Sequence, residues 1–256
     1  MTRRRIDVLL VERGLFESRA RAQAAIAAGR VTADGASVTK PSSEVRADAV
    51  LAAQPAHPYV SRGGLKLAAA LEAGETDPAG RICLDIGAST GGFTQVLLER
   101  GAKRVYAVDV GHGQLHASLR GRPDIVSLEG TDIRDLTPER LREAPELIAI
   151  DVSFISLRHV LPSAFALAAA TCDLVALIKP QFEVGRRDLK KGIVRDAALR
   201  AAVCADIAAF IAEHGWQVRM TLPSPIAGGD GNVEFLILAR RQPVLSSTSS
   251  DAMLRP

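Results

Sequence analysis

Three charged residues stand where apolar stretches begin or end, and a fourth lies on an expected helix. Asp151 follows Ile148-Ala149-Ile150, Lys179 follows the run from Leu174 to Ile178, and Glu234 precedes the apolar run from Phe235 to Ala239. The fourth, Lys66, lies in Tyr59-Val60-Ser61-Arg62-Gly63-Gly64-Leu65-Lys66-Leu67, on an expected helix. For any single Lys or Glu, a solvated ion pair is the ordinary explanation. Asp151 and Lys179 fit it poorly, because each closes an apolar strand at the edge where open α/β sheets bind ligands. Glu234 begins its strand, so an antiparallel last strand would bring it to that same edge. A lysine and a carboxylate so placed are candidates for holding a reacting group and handling its proton.

The second chemical signal is Leu84-Asp85-Ile86-Gly87-Ala88-Ser89-Thr90-Gly91-Gly92-Phe93. A strand runs into a glycine-rich turn and then a helix, so backbone can approach a ligand closely and helix N–H groups face it. Asp109 closes the next strand, where a carboxylate suits the hydroxyls of a ribose. These features fit NAD and S-adenosylmethionine alike. Gly87-Ala88-Ser89-Thr90-Gly91 also matches the nucleophile elbow of hydrolases, with Ser89 as nucleophile and His159 or His214 as base. Position argues against that reading: several strands precede such an elbow in hydrolases, whereas this one follows the first convincing strand of its domain.

The elements that would position these residues alternate. Strands are expected at 82–86, 104–108, 125–128, 147–150, 174–178, 218–222 and 233–239, with helices at 92–100, 138–143, 157–170 and 195–214. That order predicts a Rossmann-like α/β domain with a seven-stranded, mostly parallel sheet. The short connection 223–232 has no room for a crossover helix, so the last two strands should pair antiparallel, an ending typical of methyltransferases. Before this domain, two short helices (Ile6 to Arg13, and Arg19 to Ala28 with Ser18 as N-cap) and β-prone pieces around Asp34-Gly35 predict a small α+β domain. The expected division is 1–54 for the small domain, 55–62 for a linker marked by Pro55 and Pro58, 63–240 for the large domain, and 241–256 for a disordered tail rich in Ser.

Bulk properties bound the function. Hydrophobic residues make up 47% of the chain and charged residues 24%, as in ordinary globular proteins. The net charge is only +3, and residues 1–54, with nine Arg or Lys against six Asp or Glu, carry all of that excess. Cys83, Cys172 and Cys204 form no C-x-x-C pair, which points to reduced thiols, and the five histidines make no metal motif. The apolar run after the initial arginines ends at Glu12, too short for a signal peptide. Nothing approaches the roughly 18 apolar residues of a spanning helix, so a cytoplasmic protein is expected.

Two resemblances sharpen this picture. Arg5, Asp7, Leu10, Val11, Arg13 and Gly14, followed by Ser18, Arg19, Ala22, Ile26, Gly29 and Val31, resemble the RNA-binding module named after a ribosomal small-subunit protein. Such modules lay basic side chains along phosphates, and Arg3, Arg4, Arg5, Arg19, Arg21, Arg30 and Lys40 are the candidates here. The segments 59–67, 84–93, 109–115, 151–157, 179–185 and 231–234 together resemble the TlyA family, which joins that module to an FtsJ-like methyltransferase domain. The resemblance implies a tetrad of Lys66, Asp151, Lys179 and Glu234 and S-adenosylmethionine as methyl donor. It implies, as acceptor, the 2′-hydroxyl of cytidine in ribosomal RNA of the small or large subunit.

In that frame Gly87, Ser89, Gly91, Gly92 and Phe93 surround the methionine end of the cofactor, and Asp85 and Ala88 are further cofactor-binding candidates. Asp109 holds its ribose, Gln114 and Leu115 line the pocket, and Asp132 meets the adenine amino group. Lys179 either takes the hydroxyl proton, which requires a depressed pKa, or stays charged and only polarises the hydroxyl. The expected partner is ribosomal RNA within ribosomal subunits, with no membrane, metal or obligate protein partner. Other members of the family carry the name haemolysin, so a membrane-active protein is one alternative; a ribosome-binding factor with an idle pocket is the other.

Overall fold

The computed structural model describes residues 2–228 and 231–243. Contacts divide the chain into two compact units, 1–58 and 59–256; the expected linker 55–62 straddles that boundary.

The first unit contains β1 (Arg3–Arg5), α1 (Ile6–Glu12), α2 (Arg19–Ala27), β2 (Val31–Ala33), β3 (Ala36–Ser37), β4 (Glu44–Arg46) and β5 (Leu51–Ala53). Strands β2, β3 and β5 form one small sheet, and β1 pairs with β4. The Ser18 side chain accepts from the Arg21 N–H and so starts α2. Ile6, Leu10, Phe16, Ala22, Ile26, Val31 and Val38 form the core of this unit.

The second unit is built on seven strands: β6 (Ile82–Ile86), β7 (Arg104–Asp109), β8 (Ile125–Glu129), β9 (Leu147–Ile150), β10 (Cys172–Ile178), β11 (Gln217–Pro223) and β12 (Phe235–Arg241). Its helices are α3 (Gly63–Ala73), α4 (Gly92–Glu99), α5 (Leu157–Leu167), α6 (Pro180–Glu183) and α7 (Ala197–Glu213). The strand order is β11-β12-β10-β9-β6-β7-β8. Strands β8, β7, β6, β9 and β10 run parallel, and β12 pairs antiparallel with both β10 and β11. The short 224–234 connection forces that reversal and returns Glu234 to the edge where β9 and β10 end.

Alternation within the strands fixes which helices cover which face. Ile148 and Ile150 of β9, with Leu174, Ala176 and Ile178 of β10, join a cluster that includes Leu161 of α5 and Ile207 of α7. Leu147, Ala149, Val175 and Leu177 face the other way, in a cluster with Leu67 and Leu71 of α3 and Phe93 and Leu97 of α4. Sheet residues buried on both sides hold the strand ends in register, and the strand ends hold the site.

Two local expectations differ from the structure. The helix expected at 138–143 is a single 3-10 turn, Pro138–Arg140. The Tyr106 hydroxyl accepts from the N–H groups of Arg142 at 2.9 Å and Glu143 at 3.3 Å, taking donors that a longer helix would need. At the other end, Arg241 belongs to β12 rather than to a tail, and its guanidinium donates to the carbonyls of Phe165 and Ala169. The rest of the expected tail, from residue 244, lies outside the described residues. Among the described residues, no helix is long and apolar enough to cross a membrane.

Candidate active site

The glycine loop is shaped by what a side chain would strike. Gly87 has φ +82°, and a Cβ there would collide with the carbonyl of Asp151, so only glycine lets β6 and β9 end this close together. Gly91, the N-cap of α4 at φ +91°, leaves room for Leu115 and Leu119. Between them Ser89 adopts φ +47° and donates its N–H to Asp109 Oδ2 at 2.8 Å, while Asp109 Oδ1 accepts from the Gly111 N–H at 2.7 Å. One carboxylate thus ties the glycine loop to the segment after β7.

That segment has a second anchor, which the sequence reading missed. Glu129, at the end of β8, accepts from the N–H groups of Gln114 at 2.7 Å and Leu115 at 3.1 Å. These bonds pull its carboxyl below the usual range. Gln114 in turn accepts the Ser89 hydroxyl at 3.0 Å. Ser89 therefore pairs with an amide, and among the described residues it shows no hydrogen bond to a histidine, which counts against the hydrolase reading.

Beneath these loops lies a cavity of about 380 Å³, bordered by Ser89, Asp109, Val110, Gln114, Asp132 and Ile133 among others. Its size and mostly apolar walls suit a nucleoside-sized group. Asp132 borders it, yet its carboxylate is held by Arg134 at 2.6 Å and caps the 3-10 turn Ile133–Asp135. Arg134 lowers its pKa first, through the side-chain hydrogen bond. Asp85 borders neither cavity. It is fully buried under the loop, where Oδ2 accepts the Thr94 hydroxyl at 2.6 Å and Oδ1 has no partner. Burial pushes its pKa up to about 7, against the Thr94 hydrogen bond.

A second cavity of about 300 Å³ adjoins the first and shares Gly87, Ser89, Asp151 and Ser153 with it. Its polar lining includes Arg62, Lys66 and Lys179. The Lys179 ammonium, at the end of β10, lies 2.7 Å from Asp151 Oδ1 and donates to Ser153 Oγ at 2.8 Å. Asp151 Oδ1 accepts no well-aligned hydrogen bond, so the Lys179–Asp151 contact is a close ion pair, and the directed bond goes to the serine. Lys66 pairs elsewhere, with Glu234 Oε2 at 2.6 Å. Glu234 is only 3% exposed and lines neither cavity: it holds Lys66 from behind. The four residues are thus two ion pairs, with Lys66, Asp151 and Lys179 facing the cavity.

The segment after Asp151 is pinned as well. Glu183, in α6, accepts the Ser156 hydroxyl at 2.5 Å and the Leu157 N–H at 2.9 Å. It thereby caps α5 and joins the Lys179 segment to the Asp151 segment. Between these anchors Phe154 takes φ +65° and stands 91% exposed at the border of the first cavity, its ring 5.0 Å from that of Phe182. An apolar ring held outward on left-handed backbone is unusual for structural reasons alone.

In the first unit, most of the candidate RNA-binding arginines are already paired. Arg5 and Arg19 both contact Asp7, at 3.1 and 2.8 Å, and Gln23 adds a third donor at 2.9 Å. Arg4 pairs with Glu12, Arg21 lies 3.7 Å from Glu17, and Arg3 donates to the Glu44 carbonyl. Arg30 and Lys40 make no ion pair among the described residues. Asp7 is completely buried, and its pairing with Arg5 above all holds its carboxyl well below the usual carboxylate range, against the cost of burial.

Comparison with known proteins fits this geometry. Residues 59–241 match the FtsJ-like methyltransferase family and residues 4–51 match the S4 domain. The chain is 46% identical over 243 residues to the 16S/23S rRNA (cytidine-2′-O)-methyltransferase TlyA of Mycobacterium tuberculosis, covering 94% of this chain and 91% of that protein. It is 41% identical to Hemolysin A of Brachyspira hyodysenteriae, covering 91% of this chain and 98% of the relative. Among solved structures, a candidate hemolysin from Streptococcus thermophilus superposes with a TM-score of 0.75 at 41% identity, covering 94% and 90% of the two chains. The chain belongs to the TlyA family of FtsJ-like methyltransferases, with an S4 domain at its amino-terminal end.

Proposed function

We propose that this protein transfers a methyl group from S-adenosylmethionine to the 2′-hydroxyl of cytidine in ribosomal RNA. The observation that carries this reading is the pair of adjoining cavities sharing Gly87, Ser89, Asp151 and Ser153. One has the size for a nucleoside cofactor and meets the glycine loop at Gly87 and Ser89. The other is lined by cations and suits the ribose of an acceptor nucleotide. S-adenosylmethionine would supply an activated methyl group on a sulfonium, with Asp109 at the first cavity to hold its ribose and Gly92, bordering the second, beside its methionine end.

The chain's own contribution is alignment of the reactants. Lys179 is held 2.7 Å from Asp151 and donates to Ser153 Oγ, so of its two possible roles, positioning fits better than proton abstraction. Lys179 donates to the acceptor oxygen and aims a lone pair at the methyl carbon. S-adenosylmethionine would give up its methyl group to the acceptor oxygen and leave as the neutral thioether, and Asp151 would pass the hydroxyl proton on to solvent. Lys66, fixed by Glu234, holds the acceptor from the other side. Phe154 offers an aromatic face on which an unstacked base can rest.

Unmodified ribosomal subunits incubated with the protein and methyl-labelled S-adenosylmethionine should gain a mapped 2′-O-methyl cytidine. Lys179→Ala should reduce transfer by at least about a hundredfold while leaving cofactor affinity within twofold. No transfer to either subunit by a protein that binds the cofactor would refute the reading.

A further inference from the structure

Positive charge in the catalytic unit is gathered in one short segment. Residues 185–196 contain Arg186, Arg187, Lys190, Lys191 and Arg195 against Asp188 and Asp196, while residues 55–256 as a whole balance to zero. The remainder of that unit is therefore net acidic. Arg187, Lys190, Lys191 and Arg195 are exposed and make no ion pair among the described residues. They differ in this from the first unit, where Asp7, Glu12 and Glu17 already occupy four of the arginines.

The segment is also fixed. Lys190 and Ile193 exchange backbone hydrogen bonds at 3.0 and 3.2 Å around Lys191 and Gly192, both in left-handed backbone, which makes a tight hairpin tip with Lys191 at its turn. Asn232, only 3% exposed, grips that hairpin with both ends of its amide. Its Oδ1 accepts from the Val194 N–H at 3.3 Å, and its Nδ2 donates to the Gly192 carbonyl at 3.0 Å. Arg200 then donates to the carbonyls of Val194 and Arg195 where the chain leaves. At the entry, Glu183 is bonded to Ser156 and Leu157. One anchor lies four residues after Lys179 and the other two residues before Glu234.

Buried amides and caps that hold unpaired cations beside a reaction centre suit a polyanion that must be presented in one register. A ribose that enters the acceptor cavity brings a phosphate on each side. We propose that the 185–195 segment, a 3-10 turn over Arg186–Asp188 followed by the hairpin tip, is a second RNA-holding surface, in which Arg187, Lys190 and Lys191 bind the phosphates flanking the target nucleotide. The proposal rests on the RNA reading above and assigns part of the grip to the catalytic unit. Its effect is electrostatic, so it acts on affinity and registration rather than on choice of base.

The test is the combined variant Arg187→Gln, Lys190→Gln, Lys191→Asn, the asparagine being chosen because it tolerates left-handed backbone. Binding to unmodified ribosomal subunits should weaken about tenfold near physiological salt. The slope of log affinity against log salt should shrink by about 2 to 3. Affinity for S-adenosylhomocysteine and the melting temperature should stay unchanged, and the charge-keeping Arg187→Lys, Lys190→Arg variant should restore the slope. Parental affinity and slope in the neutralised variant would overturn the proposal. The binding readout does not depend on turnover, so its failure is separate from failure of the wild-type chain to methylate a subunit, which would refute the catalytic reading instead.

Discussion

The Lys66 ammonium and the Glu234 carboxylate, 168 residues apart in sequence, meet at 2.6 Å with almost no solvent on either group. A buried pair of this kind adds little net stability, but removing one partner leaves an uncompensated charge in the interior. Glu234→Ala should therefore destabilise the chain by about 3 to 5 kcal/mol. Adding Lys66→Met should recover at least half of that loss, while methyl transfer stays abolished because the cavity has lost one of its cations. Urea unfolding of the single and double variants, with single-turnover assays alongside, measures both halves. A double variant as unstable as Glu234→Ala would mean the pair is not energetically isolated.

Asp85 gives the sheet a pH dependence opposite to that of most carboxylates. Its pKa is raised to about 7 in the folded chain, above an unfolded value of about 3.9. Below the unfolded value both states hold the proton. As pH rises towards 7 the unfolded chain loses it first, so stability falls through that window and levels off above it. Asp85→Asn keeps an acceptor for the Thr94 hydroxyl and removes the titration. Its melting temperature should fall less between pH 4.5 and 7.5 than the parent's, a window set by the two pKa values. A parallel pair of melting curves would count against a protonated Asp85.

Asp7 behaves in the ordinary direction. Its folded pKa lies below the unfolded one, so the stability it contributes is complete above about pH 4 and is lost as pH falls through the folded value. The expected signature is early acid loosening of the first unit, seen as proteolysis near its hairpins at pH 3 before the second unit is cut. Asp7→Asn should show that susceptibility already at neutral pH. It should also release Arg5 and Arg19, so any gain in RNA affinity would report how far Asp7 restrains them.

Gly87→Ala should be among the most damaging single-methyl changes in the chain. The left-handed backbone costs about 1 kcal/mol or more, and the methyl group meets the Asp151 carbonyl, which cannot move without shifting β9. Calorimetry should show loss of S-adenosylhomocysteine binding, with a lowered melting temperature. Gly80→Ala supplies the comparison: φ there is +72° but nothing lies within 4 Å of the added carbon, so only the backbone cost applies.

The parts of the site legible in the sequence are those set by strand periodicity. Asp151 and Lys179 stand out because apolar strands end at them, and Glu234 because the connection before it is too short for a helix. What the sequence hides are contacts made when loops close. Glu129 accepts N–H groups from a segment about fifteen residues earlier, and Glu183 caps a helix that precedes it in the chain by more than twenty residues. Neither carries a local pattern. Asp132 borders the first cavity as expected, but the sequence did not show that Arg134, two residues on, shares its carboxylate. The helix expected at 138–143 fails for a related reason, since a hydroxyl from β7 captures its donors. Likewise the basic face of α2 reads as free charge in the sequence, while buried Asp7 engages part of it.

The order β12-β10-β9-β6 in the sheet has a consequence for how this protein must fail. Glu234, Lys179, Asp151 and Gly87 flank the ends of four neighbouring strands, one per strand, with Lys179 two residues beyond the position level with Asp151. No hinge separates one reacting group from the next, and the same hydrogen bonds that close the sheet set their spacing. Heat or denaturant that parts these strands disperses all four residues together, so loss of activity should track loss of the sheet.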